Sequence, residues 1–235
     1  MTDKKIGVII PAGGSGSRMG GVYKPLEKLC EKQMLFYSLD VFESCSDVEF
    51  VVIAAREDKV EEISALCNRY GYSKVKKVVS GGEDRQQSVK NAFECGLFDD
   101  VDTGYVAVHD AARPLLTVSD AKKVFDMARE KGNGVCACRV RDTLMRTDKE
   151  AVVEKVVDRE NMWQIQTPQV FEKSLYKAAL ERAQKDGFTA TDDSSLLLNM
   201  GKKVYLCETP SLNFKITYEE DVLLAQALIA YERQK

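Results

Sequence analysis

The sequence predicts an α/β fold in which a mainly parallel sheet is flanked by helices. Two observations carry this prediction. Short, wholly apolar, β-branched runs alternate with segments of helical period, and several of those runs end in clusters of Gly, Pro or charged residues. Continuous apolar runs suit strands buried on both faces. Strands alternating with helices imply βαβ crossovers. The size and balance of the chain agree: 235 residues, 44% apolar and 30% charged, suffice for one large domain with a packed core.

The first strand is Ile6–Ile10, which runs into Pro11 and a glycine cluster. Phe50–Ile53, the segment with Val75, Val78 and Val79, Tyr105–Val108, Gly134–Cys138 and Val204–Cys207 follow as further strands. Helices fall between them. Ile63, Leu66 and Cys67 mark one; Val89, Ala92, Phe93 and Leu97 mark the next. Val118, Ala121, Val124, Phe125 and Ala128 keep i, i+3, i+4 spacing, and Gly132 supplies a stop. A last helix over Asp221–Tyr231 carries Val222, Leu224, Ala225, Leu228 and Ile229. One stretch, Arg141–Thr167, is polar and lacks helical period. In it Val152-Val153 and Val156-Val157 are expected to pair as two short strands. Two readings of this stretch stand: a surface hairpin, or an arm that reaches a second subunit.

Composition excludes several function classes. A net charge of −3 provides no basic field to gather nucleic acid. Ile6–Ile10 is too short for a signal peptide or a membrane span. The seven cysteines form no CxxC pair and there is one histidine, which argues against structural zinc. Free thiols in apolar segments suit a reducing, cytoplasmic setting.

Ligands of parallel sheets bind at the carboxyl ends of strands. The loops after Ile10, Val79, Val108 and Val140 are therefore expected to face one cleft. The first loop, Pro11 to Lys24, holds Ala12, Gly13, Gly14, Gly16 and two further glycines, with Arg18 and Lys24 as its cations. Glycines let backbone amides approach a ligand and form an anion nest. A planar guanidinium and a point charge suit a triphosphate; the bland alternative is a tight strand-to-helix turn. No glycine directly precedes Lys24, so this is not a Walker loop, and Met19 occupies the third glycine position of a dinucleotide fingerprint. Arg56 keeps an NADP reading weakly open. Pro25 is expected to hold Lys24 out of helical geometry.

The second loop runs from Ser80 through Gly82 to Ser88. Glu83 and Asp84 stand at its helix start, which favours the helix dipole and disfavours phosphate. It suits a base and ribose, although a well-capped helix explains the segment equally. The third loop, His109 to Pro114, places Asp110 at a strand end, where a carboxylate helps hold Mg²⁺ on a nucleotide. Ala111 and Ala112 leave room for a sugar. His109, the single histidine, reads as a structural residue rather than a general base.

These segments, in this order, resemble the cytidylyltransferases of the methylerythritol phosphate route to isoprenoids. The match rests on Pro11–Met19, Gly81–Ser88, His109–Pro114, Arg141-Asp142-Thr143, Val157-Asp158-Arg159, Trp163, Gln166–Gln169, Thr191-Asp192-Asp193 and Phe214–Thr217. The resemblance implies a Rossmann-like single domain over 1–235, a homodimer, and a β-arm at 141–157 used for dimerisation. It implies CTP and a small sugar-alcohol phosphate as substrates and direct displacement with Mg²⁺. Pro11, Ala12, Gly13, Gly14, Gly16, Gly82, Ser88, Asp110 and Ala111 would then bind the nucleotide. Asp110, Arg113, Thr143, Arg159, Thr167, Thr191 and Lys215 would bind the acceptor. Arg18, Lys24, Arg159 and Lys215 would act in catalysis, and Asp110 would touch the metal. The chain runs little past its last helix, so no fused cyclodiphosphate synthase domain is expected. The rivals are a ribitol 5-phosphate cytidylyltransferase, an NADP-dependent oxidoreductase and a non-catalytic nucleotide-binding regulator.

Overall fold

In the computed structural model, residues 4–14 and 22–232 are described. Strand β1 (Ile6–Ala12) is an interior strand of a seven-stranded sheet, followed by a short antiparallel pair, β2 (Lys28–Leu29) and β3 (Lys32–Gln33), and helix α1 (Met34–Ser44). Next come β4 (Val48–Ala55), α2 (Val60–Tyr70), β5 (Val75–Ser80), α3 (Arg85–Phe93), α4 (Leu97–Asp100), β6 (Tyr105–Val108), α5 (Val118–Lys131) and β7 (Asn133–Arg139). The chain continues through β8 (Leu144–Thr147), β9 (Val153–Val157), β10 (Trp163–Glu172), α6 (Lys173–Asp186), α7 (Asp193–Asn199), β11 (Leu206–Glu208) and α8 (Glu219–Glu232).

The sheet order is β11-β7-β10-β6-β1-β4-β5. β1 pairs in parallel with both β4 and β6. The chain winds outward from β1 through β4 to β5, then returns to β6 on the other side. That reversal opens a crevice at the carboxyl ends of β1 and β6, where α/β sheets bind ligands. β10 runs antiparallel between β6 and β7, so the sheet is mixed but mainly parallel.

Alternation along β1 explains the layering. Ile6, Val8 and Ile10 face a core built with Leu35, Phe42, Ile63, Val124 and Phe125 from α1, α2 and α5. Ile9 faces the other core, with Val89, Phe171, Tyr176 and Leu197. Each large apolar side chain so buried contributes roughly 1.5–3 kcal/mol relative to exposure. Local signals set the helix ends. Asp84 accepts from the Gln87 amide at 2.7 Å and starts α3. Thr117 accepts from the Asp120 amide at 3.1 Å and starts α5. Gly132 ends α5 at φ 84°, a left-handed conformation that glycine adopts without strain.

Four expectations need correction. Val152-Val153 and Val156-Val157 do not pair with each other: Val153 and Val156 lie on one strand, β9, which pairs with β8, Val157 opposite Leu144. Leu97 does not continue α3, which ends at Phe93; Gly96 at φ 95° turns the chain and α4 begins after it. The strand read at Val204–Cys207 begins only at Leu206. The polar stretch to Thr167 contains the first half of an interior strand, β10, which buries polar side chains with partners: the Gln169 side-chain amide donates to Asp192 at 2.8 Å and its side-chain carbonyl accepts from the Ser194 amide at 2.8 Å.

All seven cysteines are free thiols, and five of them are buried. No helix among the described residues is long and apolar enough to cross a membrane.

Candidate active site

The crevice is a cavity of about 440 Å³. Three of the expected loops wall it: Pro11–Gly14 after β1, Gly82–Arg85 with Ser88 after β5, and Asp110–Ala112 after β6. The fourth wall is Lys215–Thr217, with Lys24 and Pro25 closing the side. The loop after Val140 does not line it. Thr143, Arg159 and Thr191 are exposed outside it. Gly16 and Arg18 lie outside the described residues.

Lys24 begins a single 3₁₀ turn, Lys24–Leu26, against the expectation that Pro25 would exclude it from helical geometry. Proline at the start of a turn lacks only an amide that has no partner there anyway. From this turn the Lys24 ammonium donates to the Thr217 carbonyl at 2.9 Å and to the Ile216 carbonyl at 3.4 Å. Those carbonyls are fixed in turn. The Ile216 amide donates to the Ala112 carbonyl at 2.8 Å, and the Thr217 amide to Asp221 at 2.7 Å.

In the second loop, Ser88 donates to the Asp84 carbonyl at 2.8 Å and accepts from the Gly82 amide at 2.9 Å. This folds the loop back over α3. A Cβ on Gly81 would stand 2.8 Å from that hydroxyl oxygen and 3.3 Å from the Ala55 carbonyl, so only glycine fits.

Asp110 forms the floor. Its amide donates to the Thr167 hydroxyl oxygen at 3.1 Å. The Thr167 oxygen lies 3.0 Å from His109 Nδ1, and His109 Nε2 lies 3.2 Å from the Arg113 carbonyl. A carbonyl only accepts, so the proton is assigned to Nε2, and Nδ1 accepts from Thr167. Burial pushes the imidazole down to about 4, and it is neutral near pH 7. His109 is thus the structural residue expected from sequence, holding Asp110 in place. Arg113 is buried and donates to the Asn213 carbonyl at 2.8 Å and the Ile165 carbonyl at 3.3 Å.

The Asp110 carboxylate takes Arg85 Nε on Oδ1 at 3.0 Å and Lys215 Nζ on Oδ2 at 2.9 Å, with Arg113 Nε 3.8 Å from Oδ2. Burial alone would raise this carboxyl. Arg85 and Lys215 outweigh it and hold the group well below the usual carboxylate range. Lys215, singled out in the sequence only by the family resemblance, is brought here by the segment after β11. Arg85 lies within the Gly81–Ser88 segment, and nothing in that segment's sequence assigns it a role. Its acidic partners are 25 and 108 residues away in sequence, a relation that only the fold reveals.

A glycine-lined cavity with a lysine at its side, a buried carboxylate between two cations at its floor, and small residues between them suits a phosphorylated nucleotide. The model of one family, described as 2-C-methyl-D-erythritol 4-phosphate cytidylyltransferase, matches residues 6–231. The chain belongs to this family. It is 39% identical to a protein of that name from Halalkalibacterium halodurans, over 97% of this chain and 98% of that one. A namesake from Bacillus cytotoxicus is 36% identical over 97% and 99%. Among solved structures, a 4-diphosphocytidyl-2C-methyl-D-erythritol synthase from Anaerococcus prevotii superposes with a TM-score of 0.83 at 26% identity, covering 97% and 99% of the two chains. The cytidylyltransferase from Thermus thermophilus gives 0.76 at 28%, covering 94% and 98%. As a member of this cytidylyltransferase family the chain is a nucleotidyltransferase, and the oxidoreductase reading falls away with the dinucleotide fingerprint it lacked.

Proposed function

We propose that the chain transfers CMP from CTP to 2-C-methyl-D-erythritol 4-phosphate, giving 4-diphosphocytidyl-2-C-methyl-D-erythritol and pyrophosphate by direct in-line displacement. The observation that carries this reading is the cavity itself, in which Lys24, Asp110 and Lys215 converge from three separate loops. The family match favours this acceptor over ribitol 5-phosphate.

Two anions must meet, so the barrier is charge repulsion and orientation. Positioning and electrostatics lower it, without a covalent intermediate. On binding, the triphosphate draws the Lys24 ammonium away from the Thr217 and Ile216 carbonyls, and Lys24 with Arg18 then stabilises the charge growing on the α-phosphate and the leaving pyrophosphate. Pro11, Ala12, Gly13, Gly14 and Gly16 present backbone to the nucleotide, while Gly82, Ser88 and Ala111 shape the space for base and ribose. Lys215 and Arg159 orient the incoming phosphate, and Arg113, Thr143, Thr167 and Thr191 complete the acceptor side.

Mg²⁺ is the proposed metal. An ionised carboxylate offers about four lone-pair positions, and the contacts from Arg85 and Lys215 leave Asp110 room for one more; a magnesium ion held mainly by phosphates needs only one or two carboxylates. When bound, the ion neutralises phosphate charge.

The segment 141–157 is proposed as a homodimer arm that delivers Thr143 and Arg159 to the partner's cavity. Its exposed apolar side chains support this: Met145, Val153 and Val156 are each more than half exposed. The match over 6–231 supports one nucleotidyltransferase domain over 1–235, and the free thiols support a cytoplasmic setting. No nucleic-acid or membrane partner is proposed.

The test is pyrophosphate release from CTP and Mg²⁺, with methylerythritol 4-phosphate and ribitol 5-phosphate run side by side. Release with the first alone is expected. Release with the second alone would reassign the acceptor, and release with neither, in a chain that still binds CTP, would leave a nucleotide-binding regulator.

A further inference from the structure

A chain of four hydrogen bonds runs from the buried interior to the cavity. Tyr176 of α6 is fully buried and its hydroxyl donates to Asp193 Oδ1 at 2.7 Å. Asp193, the first residue of α7, is 3% exposed and accepts Arg85 on its other oxygen at 2.7 Å. Arg85 Nε donates to Asp110 Oδ1 at 3.0 Å, and Asp110 Oδ2 accepts Lys215 at 2.9 Å. Tyr176 and Asp193 lie outside the cavity lining, whereas Arg85, Asp110 and Lys215 belong to it.

Each link removes a freedom from the next. A carboxylate held on one oxygen only can rotate about its Cβ–Cγ bond. Arg85 pins Oδ1 of Asp110 and so aims Oδ2 at Lys215. Arg85 is itself a long side chain with many rotamers, and Asp193 fixes its far end. Asp193 would swing in turn, but Tyr176 holds its second oxygen, and burial keeps that phenol protonated and donating. Two like cations, Arg85 and Lys215, also share one carboxylate, so loss of Arg85 would leave Asp110 free to close on Lys215 alone. A purely structural ion pair would need only Arg85 and Asp193. The continuation to a cavity lysine gives the relay a use.

We infer that Tyr176, Asp193 and Arg85 are positioning residues, which set the orientation of Lys215 toward the acceptor phosphate through the two oxygens of Asp110. The inference rests on the proposed reaction and names residues that reaction does not itself require. Because the relay ends on Lys215, its disruption should raise the KM for the sugar phosphate more than the KM for CTP.

The experiment is a double-mutant cycle on the full chain between Tyr176→Phe and Lys215→Ala, read as kcat/KM for methylerythritol 4-phosphate at saturating CTP. Tyr176→Phe removes one hydroxyl and no packing volume. In the otherwise native chain it is expected to lower kcat/KM about 3- to 10-fold, the worth of one net hydrogen bond. In the Lys215→Ala chain the same substitution should change it less than about 2-fold, because residues acting through one another are not additive. Arg85→Lys should fall further than Tyr176→Phe, since an ammonium cannot span two carboxylates as a fork does. Equal effects of Tyr176→Phe in both backgrounds, or none in the native one, would overturn the relay. An inactive wild type would instead defeat the proposed reaction, so the two failures are distinct.

Discussion

The floor of the cavity and the β8–β9 hairpin are built on opposite terms. At the floor, Asp110, His109 and Thr167 are buried, and each polar side chain there is paired with another part of the same chain. The hairpin is an isolated two-stranded sheet with exposed valines and no core of its own. Two-stranded hairpins are marginal in water unless something packs against them. The difference separates a floor whose polar groups are satisfied within one chain from a hairpin that leaves its apolar side chains exposed. The floor is preorganised by buried hydrogen bonds, whereas Thr143 and Arg159 lie exposed, and on the proposed reading the hairpin gains its order from a partner.

The largest expected effect lies on the preorganised side. Lys24→Ala should lower turnover by roughly 10²-fold or more, the scale for one preorganised transition-state donor. Steady-state kinetics with near-normal turnover would remove Lys24 from the mechanism. Arg159→Ala tests the other half. It should weaken use of the sugar phosphate by about 10- to 100-fold, the worth of a charged hydrogen bond, while calorimetry shows CTP affinity retained. Lost CTP affinity would contradict the division between the two regions.

The remaining effect is on stability rather than turnover, and acid should produce it at the floor. Burial holds His109 at about 4 in the folded chain, against about 6.5 when unfolded. Between these values the unfolded chain binds the extra proton, so stability falls as pH drops through the window, by roughly 3 kcal/mol at its lower end. Asp110, held low by its cations, adds a further loss only below the ordinary carboxylate range, in the same direction. Melting temperatures recorded from pH 7.5 to 4.5 should decline, and replacing His109 with Gln should flatten that decline. A flat native profile would mean that the imidazole is not buried neutral.

What was legible in the sequence follows from what kind of signal each feature leaves. Apolar runs marked β1, β4 and β6, and helical spacing with the Gly132 stop marked α5, because burial on both faces and helix ends both leave residue-type signatures. β10 left none. Gln164, Gln166, Thr167 and Gln169 look solvated in sequence, yet in the sheet the latter three are buried with partners from distant segments. Hydrophobic periodicity cannot detect a strand whose polar groups are satisfied internally. The site followed the same rule. The glycine loops and Asp110 were readable from strand ends, and Lys215 only through its resemblance. The role of Arg85 was not readable, because it depends on Asp193 and Tyr176 reaching the same point from two later helices.

Mixing two inactive chains tests the division of labour most directly. Lys24→Ala carries a broken cavity and an intact arm; Arg159→Ala carries the reverse. If each active site joins the cavity of one chain to the arm of another, exchanged heterodimers regain one intact site of two, and an equal mixture should recover about a quarter of native activity. Activity no higher than the average of the two separate variants would show that Arg159 serves its own chain, and the arm would revert to a surface hairpin.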